Sequence, residues 1–84
     1  MDIGKKVAEY IRKPIEGVGL ILDDCKYVKE DGTYYLRVII DKVGYPTLDD
    51  CIMINKLINP IIDKLDFLTD SYMLDVCTKE KGRD

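Results

Sequence analysis

No histidine occurs among the 84 residues, and the three cysteines, Cys25, Cys51 and Cys77, form no Cys-x-x-Cys pair. A zinc site of thiolates and imidazoles has no ligand set here, and an odd number of scattered thiols gives no disulfide framework. The general base that a cysteine nucleophile would need is also missing, so Cys51 is not read as one. The three thiols are expected to be small buried hydrophobes. There is no Gly-rich phosphate loop. There is also no Gly-x-x-Gly segment between adjacent helices of the kind that clamps single-stranded RNA. No apolar run approaches the ~20 residues that span a bilayer. Residues Met1 to Lys6 lack the basic start, apolar middle and cleavage site of a signal peptide. The expectation is a cytoplasmic protein with no membrane partner, no cofactor, no metal and no small-molecule substrate. Positive charge is not in excess either: 13 basic against 16 acidic residues leave a net charge of −3. That balance argues against non-specific nucleic-acid binding over the whole surface, while leaving room for a local basic patch.

What is present suits one small domain. A chain of this length buries roughly 60–65% of its unfolded surface, and 46% hydrophobic with 35% charged residues is a globular balance. The organising stretch is Leu36 to Asp50. Leu36, Val38 and Ile40 alternate with Arg37, Ile39 and Asp41, the period of two that a strand requires. Gly44 and Pro46 break the run. Thr47 then caps a helix, and Asp49 and Asp50 place negative charge in its first turn, where free N–H groups favour it.

Before that stretch, Ile3, Val7, Ile11 and Ile15 recur at helical spacing, with Val18 a further candidate, and predict an amphipathic helix over 2–17. Ala8 widens the stripe. Lys5, Lys6, Glu9, Arg12, Lys13 and Glu16 occupy the other side, with Glu9 and Lys13 at i,i+4 spacing. Pro14 is expected to kink or loosen the last turn, and Gly17 and Gly19 end it. A strand from Leu20 to Lys29 changes phase, and a bulge near Asp23–Asp24 would bring Leu20, Leu22, Cys25 and Tyr27 to one face. Glu30-Asp31-Gly32-Thr33 is a hairpin turn, and the second strand runs from about Tyr34 to Lys42.

A second helix is expected over Leu48 to Leu65, with Leu48, Cys51, Ile52, Ile58, Ile61, Ile62 and Leu65 as its apolar stripe. Asn55 falls in that stripe and needs a hydrogen-bond partner if buried. Pro60 predicts a kink over residues 56–60. After a loop at Asp66–Ser71, Tyr72, Leu74 and Val76 share one face of a third strand. The fold class is α+β, an αββαβ two-layer sandwich with two helices on one face of a three-stranded sheet. Strand three runs in the direction of strand two, beside it or antiparallel beside strand one. The domain is expected over residues 1–78, with 79–84 a polar tail.

These residues resemble a known family. Gly19-Leu20 through Asp24, Tyr34-Tyr35-Leu36-Arg37-Val38-Ile39-Ile40-Asp41-Lys42, Gly44, Thr47-Leu48-Asp49-Asp50-Cys51, Leu65-Asp66 and Tyr72-Met73-Leu74-Asp75-Val76 are similar to the N-terminal domain of the RimP-type ribosome maturation factors. The likeness runs in order, with matching gaps, from about residue 3 to residue 76. It implies a bacterial, cytoplasmic, non-enzymatic domain of αββαβ layout that binds the immature small (30S) ribosomal subunit and assists its late assembly. Where the family usually continues with Ser-Ser-Pro-Gly and a second, barrel-like domain, this sequence reads Cys77-Thr78-Lys79-Glu80-Lys81-Gly82-Arg83-Asp84. An excised first domain or a reduced relative is expected from that difference.

Lys5, Lys6, Arg12 and Lys13 are candidates for contacting ribosomal RNA phosphates, although mixed charge on an exposed helix needs no further explanation. Tyr35, Arg37 and Lys42 are candidates on an open sheet face that would meet RNA or a ribosomal protein. Cross-strand pairing of Arg37 with Asp or Glu gives the same pattern. Asp49 and Asp50 are read as helix-start charge rather than metal ligands, and Asp23, Asp24 and Asp41 lack the pattern of a magnesium or calcium site. The alternative function is a stand-alone protein-interaction module using an exposed sheet face or edge strand.

Overall fold

Asp2 opens the first helix by accepting a hydrogen bond from the Lys5 N–H at 3.2 Å, so that one otherwise orphaned donor is satisfied. A computed structural model of the chain, which describes residues 2–79, then carries α1 over Ile3–Gly17, with Pro14 inside the helix. The end of α1 is a Schellman arrangement. Gly19, with φ of +85°, donates to the Glu16 carbonyl at 3.0 Å, and Leu20 donates to the Ile15 carbonyl at 3.2 Å. Leu20 and Ile15 are both buried, closing the motif with an apolar contact. Val18 lies outside the buried stripe, at the C-cap and exposed.

Strand β1 spans Ile21–Glu30 and pairs antiparallel with β2, Thr33–Asp41. The register slips between Leu22 and Asp24, leaving Asp23 as the extra residue of a bulge. That slip puts Leu22 and Cys25 in the core, with Tyr27 packed against it, as the phase change in the sequence implies. Asp31 and Gly32 turn the hairpin with φ of +51° and +82°, the left-handed pair of a type I′ turn, whose twist matches that of the strands.

Thr47 and Asp50 form a reciprocal cap at the start of α2, Leu48–Asp63. The Thr47 N–H donates to Asp50 Oδ2 at 2.8 Å and the Asp50 N–H donates to Thr47 Oγ1 at 3.2 Å. The helix passes through Pro60 and stops at Asp63, two residues short of the expected Leu65. Its buried line is Cys51, Ile54, Ile58 and Ile62. Two expectations are corrected here: Ile54 belongs to the core, whereas Leu48 and Ile52 are exposed. At 3.6 residues per turn, Leu48 and Ile52 lie about 80° and 120° round from Ile58. That carries them to the flank beyond the last strand. Asn55, half-buried, sits on the same flank.

Strand β3, Tyr72–Thr78, lies parallel to β2, with Leu36 opposite Leu74 and Val38 opposite Val76. The sheet order is β1-β2-β3, which decides between the two placements left open by the sequence. Both helices cover one face. Val7, Ile11 and Ile15 from α1 and Ile54, Ile58 and Ile62 from α2 close over Leu36, Val38 and Ile40 in a single core. Burying each such side chain contributes about 1.5–3 kcal/mol. Gly4 sets how near α1 lies to the sheet: a Cβ there would collide with the Cys25 carbonyl. Of the expected polar tail, Lys79 is tied in, its N–H donating to the Ile40 carbonyl at 2.8 Å. Residues 80–84 lie outside the described residues.

Candidate functional site

The outer surface of α1 carries Lys5, Lys6, Arg12 and Lys13, because the apolar stripe fixes the opposite side against the sheet. Seven residues bring a helix almost two full turns round, so Lys5 lies below Arg12 and Lys6 below Lys13. The two rows are anchored differently. Arg12 Nη1 donates to the Leu22 carbonyl of β1 at 3.2 Å. On the other side, Lys6 Nζ sits 4.7 Å from the centre of the Phe67 ring, in the loop after α2. Lys5 and Lys13 are exposed, and among the described residues neither has an acidic partner. The i,i+4 pair of Glu9 and Lys13 does not close.

The open face of the sheet is organised differently. Arg37 donates from Nη1 to Glu30 Oε2 at 3.0 Å and from Nη2 to Glu30 Oε1 at 2.7 Å. Its Nε reaches Asp75 Oδ2 at 3.3 Å, and its guanidinium lies 5.2 Å from the Tyr35 ring centre. The hydrogen bond from Arg37 holds the Glu30 carboxyl below the usual carboxylate range, and the same contact raises Arg37 above its ordinary value. Lys42 is also engaged: Nζ lies 3.0 Å from Asp50 Oδ2. The Asp50 carboxyl is lowered, first by the Thr47 N–H and then by Lys42. The seven basic and aromatic candidates therefore do not form one patch. Arg37, Tyr35 and Lys42 are built into the sheet and the helix cap, whereas Lys5 and Lys13 project from α1.

The thiols point away from nucleophilic chemistry. Burial pushes Cys25 up to about 12, with Asp24 adding to the effect. Burial also raises Cys51 and Cys77, with Asp50 adding to the effect at the first and Asp75 at the second. Among the described residues no cluster of acidic or cysteine side chains is arranged to hold a metal ion, and no helix is long and apolar enough to cross a membrane. Asp23, one of the scattered carboxylates, is paired with Lys79 at 3.2 Å.

Two features escaped sequence reasoning. Glu30 is the principal partner of Arg37, although its place in the hairpin hid it seven residues away. Phe67 is the platform for Lys6, and the one aromatic ring in the loop Asp66–Ser71 was the available signal. A family model described as the RimP N-terminal domain matches residues 10–79. The chain belongs to that family. The match takes in the last two turns of α1, the whole sheet and α2, which is the αββαβ frame that the RimP N-terminal likeness implied. Membership makes this a domain of the ribosome-maturation type.

Proposed function

We propose that this domain is a non-enzymatic assembly factor module that binds the small (30S) ribosomal subunit during its late maturation in the bacterial cytoplasm. The observation that carries the proposal is the family match over residues 10–79. The α1 surface supports it in detail. Lys5 and Lys13 are exposed cations without acidic partners among the described residues, held on a rigid helix beside Arg12. Charges of this kind are free to displace counterions from rRNA phosphates, and a ribosomal protein is the second expected contact. Arg37 and Lys42 serve the architecture in this reading, since their charges are already matched within the domain.

Co-sedimentation with free small subunits at low salt is the test. The domain is expected to pellet with the subunit, and the double variant Lys5→Glu, Lys13→Glu is expected to lose binding with a salt slope shallower by about 2. An unaltered domain that stays in the supernatant overturns the reading. Equal binding by the double variant removes α1 from it.

A further inference from the structure

Two unlike hollows lie one after the other along the flank of α2 and the free edge of β3. At the C-terminal end of β3, Leu48, Cys51, Ile52, Lys56 and Val76 line a hollow of about 290 Å³. Leu48 is 75% exposed and Ile52 48% exposed, so apolar surface stands open there. At the N-terminal end, α2, β3 and the loop between them frame a hollow of about 380 Å³ lined by Asn59, Asp63, Asp70, Tyr72 and Leu74. Neither Asp63 nor Asp70 has a cationic partner among the described residues.

The edge itself is unguarded. β3 has β2 on one side and no strand on the other among the described residues. Because the Lys79 N–H bonds the Ile40 carbonyl, strand alternation turns the N–H and C=O groups of Leu74 and Val76 outward. The opposite edge, β1, is interrupted by its bulge at Asp23 and studded with Asp24, Lys26, Lys29 and Glu30, devices that deter strand pairing. β3 has no such device. Its single charged residue, Asp75, is tied to Arg37 on the open face.

We infer that β3 accepts an extended peptide segment as a fourth, antiparallel strand, apolar in its first half and basic in its second. Antiparallel addition brings the start of the segment to Val76, where alternate side chains enter the Leu48–Ile52 hollow. Its second half then meets Asp63 and Asp70. Lys56 at the apolar end repels a basic residue there, which fixes the half of the segment that lies over Val76, and the greater stability of antiparallel pairing sets its direction. β3 of a second copy does not fit this description, because Tyr72-Met73-Leu74-Asp75-Val76-Cys77-Thr78 holds no basic residue, and β1, although it has Lys26 and Lys29, is interrupted by its bulge and carries Asp23 and Asp24 directly after Ile21 and Leu22.

The test is fluorescence anisotropy with a labelled synthetic peptide whose first half alternates valine and threonine and whose second half alternates lysine and threonine. It is expected to bind and to protect the Leu74 and Val76 amides from hydrogen exchange. The peptide with its halves exchanged should bind about tenfold more weakly, as should the variants Leu48→Ser, Ile52→Ser and Asp63→Asn, Asp70→Asn. These side chains lie at the surface, so the variants keep the fold. N-methylation of alternate peptide residues should abolish binding in one phase and spare it in the other. Equal binding of the two peptide orders, a glutamate version that binds as well as the lysine one, or self-association of the chain through β3 overturns the inference. None of these outcomes bears on subunit binding through α1, so the two readings fail separately.

Discussion

Arg37 holds Glu30 in a two-pronged grip of 3.0 and 2.7 Å across the open face of the sheet. Its Nε N–H reaches Asp75, so one guanidinium on β2 links the end of β1 to β3. The grip lowers the Glu30 pKa in the folded state. The unfolded chain therefore binds that proton more readily, and the contribution to stability is complete above the ordinary carboxylate range. It is lost as the pH falls through the depressed value. Urea denaturation across a pH series is expected to show the wild type ahead of Glu30→Gln at neutral pH, with the margin vanishing in acid. In Arg37→Ala, the Glu30 carboxyl resonance should titrate higher. A margin that persists below the titration of Glu30 would show that the ion pair is not its source.

Gly4 and Gly17 stand in the same helix and should respond oppositely to alanine. At Gly4 the added Cβ would strike the Cys25 carbonyl, and α1 would have to back off the sheet at a cost of about 1–3 kcal/mol. At Gly17 nothing lies within 4 Å, so alanine there gains about 0.5–1 kcal/mol from lower unfolded-state entropy. Thermal unfolding of the two variants distinguishes them, and a neutral Gly4→Ala would mean that the approach of α1 to β1 is looser than described.

Ile54 and Ile52 are near neighbours in sequence with opposite surroundings. Ile54 is completely buried and Ile52 is 48% exposed. Ile54→Ala is expected to cost about 2–5 kcal/mol through lost contacts and a residual cavity. Ile52→Ala should stay within about 0.5 kcal/mol. Chemical denaturation reads both, and a reversal would require α2 to be rotated about its axis.

Cys25 is expected to resist thiol reagents. Its pKa of about 12 in the fold leaves almost no thiolate at neutral pH, and labelling should wait on unfolding while half-buried Cys77 reacts sooner. The raised value also has a thermodynamic consequence. Above the ordinary thiol pKa of 9.0, the unfolded chain releases the proton that the folded chain keeps, so stability falls as the pH rises. Cys25→Ala should flatten that alkaline decline, which denaturation midpoints across the alkaline range would show.

The residues by themselves determined the elements of this domain. Alternation marked β2, Asp31-Gly32 its hairpin, Thr47 with Asp50 the start of α2, and the phase change at Asp23–Asp24 the bulge. Each of these signals is local, carried by backbone dihedrals or by caps within a few residues. Tertiary structure decided what depends on distant partners: the parallel seat of β3 beside β2, the rotation of α2 that buries Ile54 and bares Leu48, and the capture of Arg37 by Glu30 and Asp75. Spacing along a helix gives a stripe but not its centre, which is set by where the sheet ends. A charge in the sequence likewise shows neither its partner nor its freedom. Lys5 and Arg37 looked alike as candidates until the packing of the strands separated them.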